Sequence, residues 1–283
     1  MSPEMVAPIG IFDSGVGGLS VLRAIRELMP GEDLVYFGDQ AHVPYGMRTI
    51  DQIRDYSEAI TKYLLKQQAK MIVVACNTAS AAALKYLRSR FPDVPFVGME
   101  PAVKPAAETT RSRKVGVLAT PATFQGELYA SVVERFAKNV KLFPETCPGL
   151  VTQVENGDLE SQTTMQILNK ALEPLLKEGI DTIVLGCTHY PFVIPQIERI
   201  AGSGVRVIDP APAIARRIAS LLDNNRSRNL SDRIGQITFI TSGDPVRMQA
   251  TLKKLLGVNA EVNCIPWITG TKLKDTSDLA KTN

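Results

Sequence analysis

Two short strings recur along this 283-residue chain in the same order. IGIFDS (9–14) matches VGVLAT (115–120), and IVVACNT (72–78) matches IVLGCTH (183–189), with the separation kept to within a few residues. Each is an apolar run closed by small and polar residues, the pattern of a strand buried on both faces and ending in a turn. One such match between apolar strands carries little weight, whereas two in register point to a duplicated unit. Strand-like runs also alternate with helix-period segments through the rest of the chain. Together these features predict an α/β fold: two similar parallel-sheet α/β domains related by internal duplication, with the active site in the cleft between them. The first domain is expected over residues 1–98 plus 210–283, and the second over residues 99–209.

Local patterns fill in this frame. Strands are expected at PIGIF (8–12), DLVYFGD (33–39), KMIVVAC (70–76), VPFVG (94–98), KVGVLAT (114–120), DTIVLGC (181–187) and VRVID (205–209). Helices are expected over 19–28, from about Thr49, over 81–90, 125–137 and 163–177, and after Pro210. Glu155, before Asn156-Gly157-Asp158, reads as a loop residue, and the chain from about Gly270 reads as frayed.

The length suits two cores. Hydrophobic residues at 45% and charged residues at 22% are ordinary for a soluble protein, and the net charge of +3 points to neither nucleic acid nor membrane. The longest charge-free apolar region, between Lys70 and Lys85, is broken by Asn77, Thr78 and Ser80 and falls short of the roughly 18–20 apolar residues of a membrane span. The N-terminus lacks a signal-peptide pattern, so a cytoplasmic protein is expected.

Four cysteines (Cys76, Cys147, Cys187 and Cys264) and two histidines (His42 and His189) are scattered, with no metal-ligand spacing, so no metal is expected. Cys76 and Cys187, however, occupy equivalent places in the repeat. Each ends a strand at the carboxyl edge, where open α/β sheets form their ligand crevice. Two facing units would set one thiol on each side of a bound molecule. Asn77, Thr78, Thr188 and His189 bring hydrogen-bonding groups beside these thiols, which helix N-termini and donors can activate. His189 is placed to orient Cys187 or share its proton.

DSGVGG (13–18) adds Asp13, Ser14 and a glycine turn before a helix, a set that fits a zwitterionic amino acid with its carboxylate on the amides and its amine on the acid. We count Cys76, Cys187, His189, Asp13 and Glu155 as candidate catalytic residues. Competing readings are buried inert thiols, a surface position for Glu155, and a non-catalytic two-lobed amino-acid-binding protein. A further alternative is a dinucleotide site using Gly15-Val16-Gly17 and Asp39, although Ser20 stands where the third glycine belongs.

Taken together, IGIFDSGVGG, PYG (44–46), CNTAS (76–80) and GCTHYP (186–191) resemble the glutamate racemases, within the wider aspartate/glutamate racemase superfamily. The likeness covers nearly the whole chain, and the histidine in GCTHYP is similar to the glutamate rather than the aspartate branch; an aspartate racemase is the neighbouring alternative. The resemblance implies a reaction without pyridoxal phosphate or any other cofactor, in which Cys76 and Cys187 act as paired acid and base. It implies substrate contacts at Asp13, Ser14, Tyr45, Gly46, Asn77, Thr78, Thr188 and His189, with Thr120 added as the repeat's counterpart of the DSG loop. It also implies that Cys76 deprotonates D-glutamate and Cys187 the L isomer, that the product feeds peptidoglycan, and that the protein is a homodimer.

Overall fold

The computed structural model describes residues 3–274. A short helix α1 (Pro3–Val6) leads into β1 (Ile9–Asp13), α2 (Leu19–Leu28), β2 (Leu34–Gly38), α3 (Ile50–Lys66), β3 (Met71–Val74), α4 (Asn77–Arg90) and β4 (Phe96–Gly98). A second run follows as α5 (Val103–Thr109), β5 (Lys114–Ala119), α6 (Pro121–Gln125), α7 (Glu127–Phe136), β6 (Lys141–Glu145), α8 (Leu150–Glu155), α9 (Gln162–Lys177), β7 (Thr182–Gly186), α10 (Ile194–Ala201) and β8 (Arg206–Ile208). The chain then continues through α11 (Ala211–Asn224), β9 (Ile237–Thr241), α12 (Pro245–Leu256) and β10 (Val262–Cys264). A small antiparallel pair, β11 (Trp267–Thr269) and β12 (Lys272–Leu273), comes last.

The strands form two parallel sheets. One runs β10-β9-β2-β1-β3-β4 and the other β6-β5-β7-β8. The segment β2-β1-β3-β4 therefore has the same strand order as the whole second sheet. The register repeats too: Gly10 pairs with Ile72, and its counterpart Gly116 pairs with Ile183. The sequence repeat is thus a repeat of hydrogen-bonded geometry, and it brings Cys76 and Cys187 to matching sheet edges.

β1, β2, β3 and β7 are buried along their whole length, as continuous apolar runs in parallel sheets should be. A continuous apolar cluster joins the two sheets' layers, including Leu19, Leu22 and Ile25 of α2, Leu150 and Val154 of α8, Ile218 of α11 and Leu252 of α12. Each such side chain contributes about 1.5–3 kcal/mol by leaving water. Among the described residues, no helix is long and apolar enough to cross a membrane.

Several local expectations need correction. The helix expected at 81–90 starts at Asn77, because the Cys76 sulfur accepts the Ala79 N–H at 3.4 Å and caps it. The single helix expected over 125–137 is broken at Gly126, which is extended between α6 and α7. Glu155 is the last residue of α8 rather than part of a loop. Helices α1, α5, α8 and α10 have no counterpart among the helices expected from the sequence. The fraying expected from Gly270 is overturned as far as Lys274, because Trp267 and Leu273 anchor the β11–β12 hairpin on the core beside α3; residues 275–283 lie outside the described residues.

Helix α3 starts with a reciprocal cap: the Gln52 N–H donates to Thr49 Oγ1 at 3.2 Å, and the Thr49 N–H donates to Gln52 Oε1 at 3.0 Å. Further along, Glu58 ties α3 to α4 by accepting from Lys62, the Tyr86 hydroxyl and Arg90. Bonds from Lys62 and Tyr86 bring its carboxyl from 4.5 down to about 2. Its stabilising contribution is therefore complete above pH 4.5 and lost as the pH falls through about 2. Glu58→Gln should remove this part of the acid limb and cost ~0.2–1 kcal/mol at neutral pH. Melting temperatures of both proteins across the acid range check this; parallel curves would contradict it.

Candidate active site

The carboxyl edges of β1 and β3 meet those of β5 and β7 across a small cleft with about 290 Å³ of empty volume. Its lining includes Ser14, Tyr45, Gly46, Cys76, Asn77, Thr78, Thr120, Cys187, Thr188 and His189, together with Pro44, Val151 and Gly186. The first ten were expected from the sequence; the last three were not. Larger hollows exist on the surface, such as the one between α3 and the β11–β12 hairpin, but the two repeat-related thiols share only this cleft among the described hollows.

Cys76 sits on the first sheet's side. Its thiol donates to Ser14 Oγ at 3.8 Å, and the Ser14 hydroxyl lies 3.5 Å from Asp13 Oδ1. Burial pushes the thiol up to about 12, with the nearby Asp13 adding to the effect, so the sulfur holds its proton at neutral pH.

Asp13 does not line the cleft. It is fully buried behind it, accepting from Gly15 N–H at 2.8 Å and Thr188 Oγ1 at 2.9 Å. Burial raises its carboxyl, and the charge of His189 opposes that rise. The expectation that the loop amides take a substrate carboxylate is corrected at two positions. Gly15 N–H donates to Asp13, and Val16 N–H donates to Glu155 Oε1 at 2.7 Å.

Cys187 sits on the other side, with a different partner. Its sulfur lies 3.8 Å from His189 Nδ1, and His189 Nε2 lies 2.7 Å from Glu155 Oε1. Burial works against charging His189, but its bonds to Cys187 and Glu155 hold the imidazolium well above the ordinary histidine range. Burial likewise works against charging Glu155, yet His189, Val16 N–H and Gln40 hold its carboxylate low. The surface position considered for Glu155 is excluded, since it is 3% exposed.

The glycine loop makes room for this pair. A Cβ on Gly15 would stand 1.9 Å from Glu155 Oε1, and one on Gly17 would stand 2.4 Å from His189 Nδ1. Those glycines serve close approach of a Glu–His pair, not a phosphate. Asp39, the other element of a dinucleotide reading, is fully buried and accepts from Tyr45 Oη at 2.7 Å, Ser242 Oγ at 2.5 Å and Trp267 Nε1 at 2.7 Å. It fixes the Tyr45 lip of the cleft and offers nothing to a ribose.

Three further groups complete the cleft. Thr78 and Thr120 meet across it, hydroxyl to hydroxyl at 3.1 Å. Asn77 is 4% exposed, and neither its Nδ2 nor its Oδ1 has a partner. A buried amide with both ends unpaired is costly unless a ligand meets it. Among the described residues no cluster of three or more His, Cys, Asp or Glu is arranged to hold a metal ion.

Repeat-related sheet edges that bring two thiols to one small buried cleft define a class, and the same class emerges from comparison with known families. The family model described as Asp/Glu/Hydantoin racemase matches residues 9–218. The glutamate racemase of Roseiflexus sp. (strain RS-1) is 51% identical over 256 residues, covering 90% of this chain and 94% of that protein. Among solved structures, a glutamate racemase isoform from Bacillus anthracis superposes with a TM-score of 0.82 at 32% identity, covering 92% of this chain and 98% of that one. The Escherichia coli glutamate racemase, in complex with L-glutamate and the activator UDP-MurNAc-ala, gives 0.81 at 31% identity over 95% of this chain and 99% of that one. The chain belongs to the Asp/Glu/Hydantoin racemase family and, within it, to the glutamate racemases.

Proposed function

We propose that this protein interconverts L- and D-glutamate without a cofactor, one of Cys76 and Cys187 taking the α-proton while the other delivers a proton to the opposite face. The observation that carries the assignment is the placement of the two thiols at register-equivalent strand ends on one buried cleft, beside the unpaired Asn77 amide. Glutamate as substrate is supported by the family and by the L-glutamate complex of the similar E. coli enzyme.

Inverting a stereocentre needs proton removal on one face and delivery on the other, so two acid–base groups are required. With Cys187 as base for the L isomer, the cleft is set for that direction. Cys76 holds a proton to deliver, and the imidazolium of His189 stands beside the Cys187 sulfur. Cys187 takes the α-proton as the Cα–H bond breaks, its electron pair stays on Cα, and the Cys76 thiol gives its proton to the opposite face. The carbanion is stabilised by fixed donors around the substrate carboxylate, for which the unpaired Asn77 amide and the Thr78 hydroxyl at the cleft are available. D-Glutamate follows the reverse path from Cys76. Asp13 keeps Ser14 and Thr188 oriented behind the two sulfurs.

We further infer that residues 1–98 with 210–283, and 99–209, act as the two lobes. The product supplies peptidoglycan, and the enzyme works in the cytoplasm as a homodimer. Purified protein incubated with L-glutamate and no added cofactor should lose its circular dichroism signal as the racemate forms, and L-aspartate should react far more slowly. Tight glutamate binding without signal decay would overturn the proposal in favour of a binding protein.

A further inference from the structure

Behind the Glu155–His189 pair stands a side chain outside the cleft lining. Gln40, just after β2, donates from Nε2 to Glu155 Oε2 at 3.0 Å. Its Oε1 accepts from Thr241 Oγ1 at 3.0 Å, and that hydroxyl oxygen accepts in turn from the Gly243 N–H at 3.0 Å. This chain of donors fixes its own direction. Glu155 Oε2, as a carboxylate oxygen, can only accept, so the Gln40 amide must turn its NH2 toward it, and this leaves Gln40 Oε1 to take the Thr241 hydroxyl proton. Glu155 Oε1 is taken by Val16 N–H and His189 Nε2, both at 2.7 Å. Gln40 is thus the partner that fixes the second carboxylate oxygen. Without it the carboxylate is free to rotate and pull Oε1 away from His189.

Resting on the two-thiol reading above, we propose that Gln40 is a positioning residue for proton transfer at Cys187, acting through Glu155 and His189 and held in its working orientation by Thr241. The relay crosses from β9 of the first sheet to the end of β7 in the second, so it ties the Cys187 side of the cleft to the opposite lobe. The charged and titratable groups around Glu155 are His189, the buried Asp13 and the Tyr36 hydroxyl. Beyond them, Arg247 and Lys254 of α12 bond to the neighbouring Asn156.

Gln40→Ala removes a donor to a charged carboxylate, so kcat should fall about tenfold with KM little changed. Glu155 then protonates more readily, and the acid limb of the kcat profile should move to higher pH. Gln40→Glu provides the sharper readout. As a neutral acid it matches the amide, accepting from Thr241 and donating to Glu155; once ionised it repels Glu155. Its activity relative to wild type should therefore be near normal at the acid end and fall as pH rises. Thr241→Val, which removes the donor anchoring Gln40 Oε1 and loosens the side chain, should reproduce the Gln40→Ala shift more weakly. Melting temperatures taken alongside identify any variant that has merely lost stability. Unchanged pH profiles in both Gln40 variants, or a uniform loss at every pH, would overturn the proposal. A wild-type protein that does not racemise glutamate would instead overturn the two-thiol reading beneath it.

Discussion

Cys76→Ala and Cys187→Ala are each expected to lower racemisation roughly 10²–10⁴-fold, the usual contribution of a positioned acid or base, while leaving glutamate binding nearly intact. Each variant keeps one half of the cleft unchanged, and the change from Cys to Ala removes only one buried sulfur and, at Cys76, the cap on α4. The symmetry of the reaction adds a constraint. Enantiomers have equal free energies in water, so kcat/KM must fall by the same factor in both directions, whichever thiol is removed. The side that is damaged is revealed by isotope effects. In Cys187→Ser the weaker base slows proton removal from the L isomer, so α-deuterated L-glutamate should show a larger isotope effect than the D isomer; Cys76→Ser should reverse the order. The same order in both variants would contradict the assignment of faces. Normal turnover in either alanine variant would remove that thiol from the mechanism.

Glu155→Gln should also cost roughly 10²-fold or more, by analogy with acids that orient a catalytic histidine. Glu155 accepts from Val16 N–H, His189 Nε2 and Gln40 Nε2. An amide offers one oxygen and a donor, so its NH2 must face one of those donors, and no negative charge remains to hold the imidazolium. The His189 value then falls back from its raised position. In the wild type, the stability gained by charging His189 is fully present below its ordinary value of 6.5 and lost only as pH rises through the raised folded value. In the variant that loss moves to lower pH, together with the alkaline limb of kcat. Titration of His189 by NMR in both proteins checks the shift. An unmoved histidine would show that Glu155 does not hold its proton.

The parts of this site that lie on continuous strands are legible in the sequence. β1, β3, β5 and β7 are unbroken apolar runs, and their repetition places Cys76 opposite Cys187 and Ser14 opposite Thr120. The contacts that tune those residues are not legible. Glu155 reaches Val16, and Gln40 reaches Glu155, across more than a hundred positions, so their meeting depends on how the two sheets pack. Glycines 15 and 17 read as a turn, while their structural reason is the side chain each must admit from the other lobe. Asp13 reads as an acid holding the substrate's amine, because its complete burial behind the cleft leaves no local pattern. Glu155 reads as a loop residue because the Asn156-Gly157 turn signal hides the short helix before it.

The central claim is that two different groups handle the α-proton on opposite faces. The most direct measurement follows L-glutamate in D2O from the first turnovers, resolving the enantiomers and reading α-deuterium in each. Two opposed thiols predict D-glutamate fully deuterated at Cα from its first appearance, while the remaining L-glutamate stays protiated. Early D-glutamate retaining the substrate's own α-proton would mean that a single group serves both faces, and the two-cysteine account would be wrong.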